Sequence, residues 1–142
     1  MSYETTDPAG AKEILEGDPD VRTLDVRSEQ EFAMGHIEGA YNVPLLFFTP
    51  QGMQPNPAFV EAVQKHFETE ERLVLVCKAG VRSARACELL EQVGFGRLIN
   101  MHGGMVAATD PYGNVSEPGW TLCGHPTTQE AVEGRTWEEL QG

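Results

Sequence analysis

The residues best suited to chemistry stand in the stretch VLVCKAGVRSARA, Val74 to Ala86. An apolar run ends at Cys77, a short loop with Gly80 and two basic residues follows, and a helix-like pattern then begins. The backbone N–H groups of such a strand-to-helix loop point into one concavity and bind anions. Together with Lys78 and Arg82 they stabilise a thiolate, the nucleophilic form of cysteine. The stretch therefore predicts a reactive Cys77, and the alternative is a small buried cysteine of the core.

Alternating helix-like and strand-like patterns surround this stretch and must position it. Strands are expected at Thr23 to Arg27, in the segment AYNVP, at Leu73 to Val76, and at Arg97 to Met101. Helices are expected from Asp7-Pro8, from a capping box at Ser28 to Glu31, from Asn56-Pro57, after Gly80, and in a last turn from Thr136 to Leu140. We expect FFTPQGMQPNP and Asp110 to Pro126 to be loops. The alternation predicts an α/β fold with a mostly parallel central sheet flanked by helices.

Length and composition set the class of protein. The chain has 142 residues, enough for one domain with a real core, and 40% of them are hydrophobic. The net charge is -12, which argues against binding to nucleic acid or to an anionic membrane surface, and no apolar run approaches the roughly 20 residues of a membrane span. A polar, acidic N-terminus and only three cysteines predict a cytoplasmic protein with reduced thiols.

The charge distribution around Cys77 differs from that of the whole chain. Between Arg72 and Arg97 lie five of the ten basic residues but only Glu88 and Glu91, so this window is +3 and the remainder is -15. Ordinary scatter with local helix pairs is one explanation. The strand-to-helix context favours the other, a local anion site on an acidic protein.

Three separated motifs resemble the single-domain rhodanese (thiosulfate sulfurtransferase) family. They are LDVRSEQEFAMGHIEGAYNVP from Leu24 to Pro44, CKAGVR from Cys77, and GFGRLINMHGG from Gly94 to Gly104. The resemblance covers a domain at residues 5–126 and leaves 127–142 as a C-terminal tail of unknown role. It implies a rhodanese-like three-layer fold. The tail, with Trp137 and Leu140, is expected to pack on the domain or on a partner.

The resemblance also implies a reaction and a set of site residues. The Cys77 thiolate would take the outer, sulfane sulfur of thiosulfate or of a persulfide donor, and the Cys77 persulfide would pass it to a thiol, to cyanide or to a protein acceptor. Asp25 and Arg27 are expected to brace the loop, although Arg27 could instead pair with Glu31. No cofactor and no metal is implied. The residues expected to bind the substrate and the persulfide are Lys78, Ala79, Gly80, Val81, Arg82 and Ser83.

Two of those residues carry specific expectations. Lys78 would attract the anionic donor and steady the departing sulfite, and the alternative for Lys78 is a solvated surface charge. Arg82 would close the loop and support the same negative charge. Both roles are implied by the resemblance and by the positions of these cations beside Cys77.

Loop length separates two chemistries known on this fold. Cys77 to Arg82 is C-x4-R, whereas the related cell-cycle phosphatases carry C-x5-R, a spacing that falls on Ser83 here. The shorter loop favours a single transferred sulfur over a whole phosphate. A phosphatase or an arsenate reductase is therefore the weaker alternative. A non-catalytic or redox-regulatory module that binds a protein partner is the other, although the presence of Cys77 favours an enzyme.

The remaining thiols and imidazoles suggest less. Cys87 is expected to be core packing, and Cys123 is expected to be a bystander rather than a second thiol that resolves the persulfide. The four histidines show no metal-ligand spacing, and no phosphate-binding glycine motif implies a nucleotide. Ala108 stands where the family often has a tryptophan. That residue type appears only at Trp120, after an insertion at residues 109–119.

Overall fold

Helices and strands alternate along residues 3–141, the part of the chain that the computed structural model describes. The elements in chain order are β1 (Glu4–Thr6), α1 (Pro8–Gly17), β2 (Arg22–Asp25), α2 (Glu29–Met34), β3 (Tyr41–Asn42), β4 (Leu46–Thr49), β5 (Gly52–Pro55), α3 (Phe59–His66), β6 (Leu73–Val76), α4 (Val81–Glu91), β7 (Leu98–Met101), β8 (Ala107–Thr109), β9 (Val115–Pro118) and α5 (Trp137–Leu140). None of these helices is long and apolar enough to cross a membrane.

Five strands form a parallel central sheet in the order β1-β7-β6-β2-β3. The middle strand β6 is completely buried, and its side chains alternate between two cores because successive residues of a strand face opposite sides. Leu73 and Leu75 pack in a core with α3, α4 and α5, whereas Val74 and Val76 pack in a core with α1 and α2. The predicted three-layer α/β fold with a mostly parallel sheet is therefore confirmed.

Local capping explains where several helices begin. Asp7 accepts a hydrogen bond from Gly10 N at 2.8 Å, and Pro8 occupies the first turn of α1, as predicted. The predicted capping box of α2 is present, with reciprocal bonds between Ser28 and Glu31. The prediction for α3 is wrong by about half a turn, since this helix begins at Phe59 rather than at Asn56-Pro57.

Asn56 fails to cap α3 because its side chain has other partners. Its Oδ1 accepts from Ala58 N at 3.0 Å, which closes a turn before the helix, and its Nδ2 donates to Pro44 O at 2.8 Å. The first residue outside the helix is instead Ala58, which has no side-chain oxygen with which to cap it. Other observed boundaries differ from the predicted ones by up to three residues.

Both segments predicted as loops contain strands. Most of FFTPQGMQPNP belongs to a hairpin of β4 and β5, which pair antiparallel with Phe47 opposite Gln54. The segment Asp110 to Pro126 contains β9, which pairs with β8 just before it. The prolines misled the prediction because Pro50 lies in the turn and Pro55 at the end of its strand, where the missing N–H interrupts no ladder. The edge strand β1 was missed altogether, since its three polar residues carry no apolar pattern.

The chain after residue 126 packs back on the domain. His36 and Thr128 exchange backbone hydrogen bonds of 2.8–2.9 Å, and Arg135 O accepts from Asn42 N at 2.9 Å. Trp137 and Leu140 of α5 are buried in the core beside β6. The tail therefore completes the core that supports one face of the sheet.

We expect Leu140→Ala to lower the free energy of unfolding by about 2–4 kcal/mol, because it leaves a cavity in the core that the tail closes. The matched control is Leu122→Ala, at a leucine that is 59% exposed, which should change stability by less than about 0.5 kcal/mol. Urea unfolding of the two variants measures the difference. Equal stabilities would show that the tail contributes nothing to the fold.

Candidate active site

Cys77 follows β6, and only 1% of its side chain is exposed. The chain then turns back at Gly80, which has φ +107 and lies so close to β7 that a Cβ atom there would be 3.2 Å from His102 Cα. A positive φ and this close approach both require glycine. Helix α4 starts at the next residue. Residues 77–83, called the Cys77 loop below, thus curl around the sulfur.

Hydrogen-bond donors of the Cys77 loop converge on the sulfur. Gly80 N lies 3.0 Å from Cys77 Sγ, and Ser83 N lies 3.3 Å from it. The Ser83 hydroxyl is also 3.3 Å away. A sulfur that accepts two backbone N–H groups at the start of a helix is placed to carry negative charge. Gly80 and Ser83 are therefore brought to Cys77 as the sequence suggested.

Asn100 fixes the direction of the Ser83 hydroxyl. Asn100 Nδ2 donates to Gly80 O at 3.3 Å, so its Oδ1 is the acceptor of the short hydrogen bond from Ser83 Oγ. A hydroxyl has one hydrogen, and Ser83 Oγ therefore accepts from the neutral thiol of Cys77 in this arrangement. On the thiolate, Ser83 adds a third donor only when its hydrogen turns from Asn100 to Sγ.

Asn100 carries little signal of its role in the sequence. It is a polar residue in a strand that is otherwise apolar, and it is only 4% exposed. Its position in β7, beside β6, places it under the first turn of α4. A buried amide between apolar neighbours was the available signal.

The paired glycines after β7 form the base of the Cys77 loop. Met105 N donates to Cys77 O at 2.7 Å, and Val106 N donates to Lys78 O at 3.0 Å. A Cβ atom on Gly104 would lie 2.5 Å from Cys77 O, and therefore no side chain fits there. Ala79 O accepts from Gly103 N at 3.1 Å. These bonds hold the loop backbone from below.

Arg82 is held by Glu31 rather than being free for a substrate. Arg82 donates to both carboxylate oxygens of Glu31 at 2.8 and 2.9 Å, and Phe48 of β4 lies 5.4 Å from the guanidinium carbon. The bond ties the Cys77 loop to the start of α2. Arg82 closes the loop in this way, but its charge is compensated by Glu31, for which the sequence predicts only the capping box or a pair with Arg27.

The contact between Glu31 and Arg82 shifts the pKa values of both groups. Burial alone would raise the pKa of the Glu31 carboxyl, but hydrogen bonds from Arg82 and from the Ser28 backbone lower it below its ordinary value of 4.5. The hydrogen bond that Arg82 donates to Glu31 raises the pKa of Arg82, against the opposing effect of burial. Both groups are therefore charged across the neutral range.

Asp25 and Arg27 form a buried pair beside the loop. Arg27 donates to Asp25 through Nε at 2.9 Å and Nη2 at 2.8 Å, and Nη2 also donates to Gly35 O. The alternative pairing of Arg27 with Glu31 is wrong, because Glu31 binds Arg82. Among the described residues, the Asp25–Arg27 pair makes no hydrogen bond to the Cys77 loop. It fixes the end of β2 against the end of α2.

The two outward-facing members of the loop are Lys78 and Val81. Lys78 is exposed and has no carboxylate within ion-pair distance in the described chain, and Val81 is 77% exposed. Arg85, by contrast, lies 3.3 Å from Glu88. Of the cations of the loop itself, Lys78 is thus the one whose charge is not compensated by a neighbour.

The other thiols differ sharply from Cys77. Cys87 is buried in the core, as predicted, and burial together with Glu91 and Glu88 raises the pKa of its thiol to about 12. Cys123 is exposed, on a turn in which its N–H bonds to Gly119 O. Residues 3–141 contain no group of three or more histidine, cysteine or acidic side chains that could hold a metal ion.

The insertion at residues 109–119 begins and ends at adjacent positions of the fold. Gly119 N donates to Val106 O and Trp120 N donates to Gly104 O. The chain before β8 and the chain after β9 are therefore hydrogen-bonded neighbours, and the hairpin extends from them. Trp120 is 3% exposed and fills the core beside Met105. The tryptophan missing at residue 108 is therefore supplied to this core from beyond the hairpin.

A buried thiol that accepts hydrogen bonds from two backbone N–H groups lies at the carboxyl edge of a parallel sheet, where α/β domains commonly place their functional sites. Residues 7–110 match the Rhodanese-like domain family, and the chain belongs to that family. The chain is 40% identical over 107 residues to Protein HIGH ARSENIC CONTENT 1, mitochondrial, of Arabidopsis thaliana, a match that covers 75% of this chain and 62% of that protein. It is 33% identical to Thiosulfate sulfurtransferase 18 of the same plant, covering 75% and 78%.

Solved structures show the same fold. The crystal structure of Rv0390 from M. tuberculosis aligns with a TM-score of 0.75 at 24% identity, covering 91% of this chain and all of that one. The Human Single Domain Sulfurtransferase TSTD1 aligns with a TM-score of 0.58 at 24% identity, covering 72% and 92%. At these identities the likeness concerns the fold.

The ion pair that anchors the loop predicts a pH dependence. Because the pKa of folded Glu31 lies below 4.5, its ionised carboxyl stabilises the folded state above about pH 4.5, and this contribution is lost as the pH falls through the folded value. Glu31→Gln should therefore cost about 1–3 kcal/mol at pH 7, and the gap to wild type should narrow in acid. Urea unfolding over a pH series measures it. Glu13→Gln, at an exposed residue of α1, is the control, and a gap that is constant with pH would contradict the assignment.

Proposed function

We propose that the chain is a sulfurtransferase that carries a sulfane sulfur on Cys77, from thiosulfate or a persulfide donor to a thiophilic acceptor. The observation that carries the proposal is the convergence of Gly80 N and Ser83 N on Cys77 Sγ. The family supports it, as do relatives named Thiosulfate sulfurtransferase 16, chloroplastic, at 40% identity, and Thiosulfate sulfurtransferase 18, both of Arabidopsis thaliana.

In the first half-reaction, the Cys77 thiolate attacks the outer sulfur of thiosulfate. A bond forms between Sγ and that sulfur, the sulfur–sulfur bond of thiosulfate breaks, and its electron pair leaves with sulfite. The enzyme now holds a persulfide whose charge lies on the outer sulfur. Backbone N–H groups of the Cys77 loop are preorganised donors for this charge, so stabilising it costs little reorganisation.

In the second half-reaction, an acceptor thiolate or cyanide attacks the outer sulfur. The bond to Sγ breaks, and its electron pair returns to Cys77 as the thiolate. The fixed donors Gly80 N and Ser83 N, which face Sγ, stabilise the departing thiolate as they stabilise the attacking one. The same donors thus serve both halves of a ping-pong cycle, with a small anionic donor and a thiol or protein acceptor as partners.

An oxyanion reaction is the second candidate. One observation favours the arsenate-reductase alternative, namely that a relative of this chain is named for high arsenic content. Against it stands the C-x4-R spacing, together with the occupation of Arg82 by Glu31, which leaves no loop guanidinium free for a tetrahedral dianion. Turnover with arsenate and a thiol, compared with thiosulfate and cyanide, separates the two. Sulfur transfer should be much the faster.

The nucleophile is tested by substitution. Cys77→Ser should reduce thiosulfate:cyanide sulfur transfer to background, because a serine hydroxyl is not ionised at neutral pH and forms no persulfide. Cys123→Ser, which replaces an exposed thiol, should keep the wild-type kcat and KM within about twofold. Steady-state kinetics of both variants checks this. Turnover retained by the Cys77 variant, or lost only in the Cys123 variant, would disprove the mechanism.

Lys78 is tested as the local source of attraction for the donor. Lys78→Ala should raise the KM for thiosulfate about two- to fivefold, the size of an exposed charge interaction of roughly 0.5–1 kcal/mol. The variant should also respond less to salt, because exposed charges are screened over about 8 Å at physiological ionic strength. Alkylation of Cys77 by neutral iodoacetamide should change little, since the backbone donors remain.

Lys12→Ala is the matched control, because it removes the same net charge from an exposed ion pair with Glu16 on α1. It should leave the KM for thiosulfate and its salt dependence unchanged. Kinetics over a salt series compares the three proteins. If both lysine variants behave alike, Lys78 has no specific role in attracting the donor.

A further inference from the structure

A second cavity lies away from the Cys77 loop. It has a volume of about 570 Å³ and is bounded by α1, the starts of β2 and β3, and the chain between residues 120 and 135. Arg22 on its wall is opposite Leu73 in the sheet, four residues before Cys77. At about 3.3 Å per residue this places it roughly 13 Å from the loop along the strands. None of residues 77–83 lines it.

The cavity has a floor suited to a flat apolar group. Val21, Ile37, Tyr41 and Trp120 line it, and all but Tyr41 are buried. Its volume falls within the range of about 300–1,000 Å³ that is typical of sites for small molecules. Trp120 and the residues after it lie beyond residue 110, where the family match ends. The cavity is therefore built partly by chain outside the matched domain.

Arg135 on its wall is a cation without an acidic partner. The half-buried guanidinium donates to Gly39 O at 2.9 Å, and its carbon lies 4.5 Å from the ring centre of Tyr41. No carboxylate of residues 3–141 lies within ion-pair distance of it. A guanidinium has five N–H donors in a fork that matches a carboxylate, and Arg135 uses one of them on the protein. The remaining donors are unused on a chain that has 22 acidic and ten basic residues.

The charges around the cavity favour a ligand with one negative charge. Lys12, Arg22 and Arg135 line it against Glu16 and Glu38, which gives +1 on a chain of net charge -12. Lys12 is already paired with Glu16 at 2.6 Å. Arg22 lies over the same Tyr41 ring, at 5.7 Å, and reaches Glu71 only at 3.5 Å. A second negative charge on the ligand would be repelled by the net negative charge of the chain.

We propose that this cavity binds a small organic acid in which a single carboxylate is joined to a flat apolar body. The carboxylate takes the free fork of Arg135, with Arg22 as the second cation. The apolar body lies against Trp120, Val21 and Ile37, because the two guanidinium groups already cover the Tyr41 ring. The proposal does not depend on sulfur transfer, because it uses no residue of the Cys77 loop.

The probe is 3-phenylpropionate, and its neutral control is 3-phenylpropionamide. Calorimetric titration should give one site per chain with a dissociation constant of about 1 mM or tighter, given the size of the ligand. The amide should bind at least about tenfold more weakly, as should Arg135→Gln towards the acid, because each loses a charge-assisted hydrogen bond. Arg85→Gln, on the exposed face of α4, is the matched control and should bind as wild type does. Cys77→Ser should also bind as wild type does.

Nuclear magnetic resonance of the two tryptophan indole N–H groups places the ligand. The Trp120 signal should shift on addition of 3-phenylpropionate, whereas the signal of Trp137, which lies in the other core, should not. Arg22→Gln, at a side chain that is 45% exposed, retains the core and should also weaken binding. Equal binding of acid and amide, equal binding by Arg135→Gln and wild type, or a shift only at Trp137 would each overturn the proposal. Competition by inorganic sulfate at equal concentration would overturn the requirement for an apolar body.

Discussion

The hydrogen bonds from Gly80 N and Ser83 N to the sulfur of Cys77 are the interaction on which the rest of the structure depends. The sulfur is almost completely buried, and a buried charge is costly unless polar groups compensate for it. Side chains could supply that compensation, but backbone N–H groups do so in a fixed geometry. That geometry needs a tight curl between a buried strand and a helix. The sequence satisfies this need with Gly80.

The curl is held from three sides. From below, Met105 N and Val106 N bind the loop carbonyls, and Gly104 has no side chain to keep them apart. From within, Asn100 accepts a hydrogen bond from the Ser83 hydroxyl and donates one to the Gly80 carbonyl.

From outside, Glu31 binds Arg82 and joins the loop to α2. Glu31 has two partners at once, since it also completes the capping box with Ser28. The stability of a short helix and the position of the loop therefore depend on one carboxylate. The same pair removes the charge of Arg82 from the site and leaves Lys78 as the exposed cation of the loop. In the proposed reaction, the loop backbone and one lysine would attract the anionic donor, an arrangement that favours transfer of a single sulfur over binding of a phosphate.

Local sequence patterns predict the part of the site whose residues are close together in the chain. Cys77, Gly80 and Ser83 lie within seven consecutive residues, and a parallel strand followed by a helix requires them to meet. Partners that are distant in sequence were not predictable in this way. Glu31 lies 51 residues before Arg82, and its capping-box role gave a sufficient local reason for its presence. Asn100 is in a strand that is otherwise apolar. Its distance from Ser83 in the sequence does not predict the hydrogen bond between their side chains.

The errors in the fold have a similar origin. Proline and glycine predict loops, yet Pro50 lies in the turn of a hairpin and Gly52 is the first residue of its second strand, paired with Thr49. The strand β1 owes its existence to the free edge of β7 rather than to its own residues. The sequence indicates an insertion at residues 109–119, but only the backbone hydrogen bonds of Gly119 and Trp120 show that it leaves the core intact.

Intact-mass spectrometry of the protein after incubation with thiosulfate is the most direct measurement of the central claim. The account predicts a gain of one sulfur atom per chain, located on Cys77 by peptide mapping, absent in Cys77→Ser and removed by an added thiol. A protein that gains no sulfur, or that gains it on Cys123, would contradict the account.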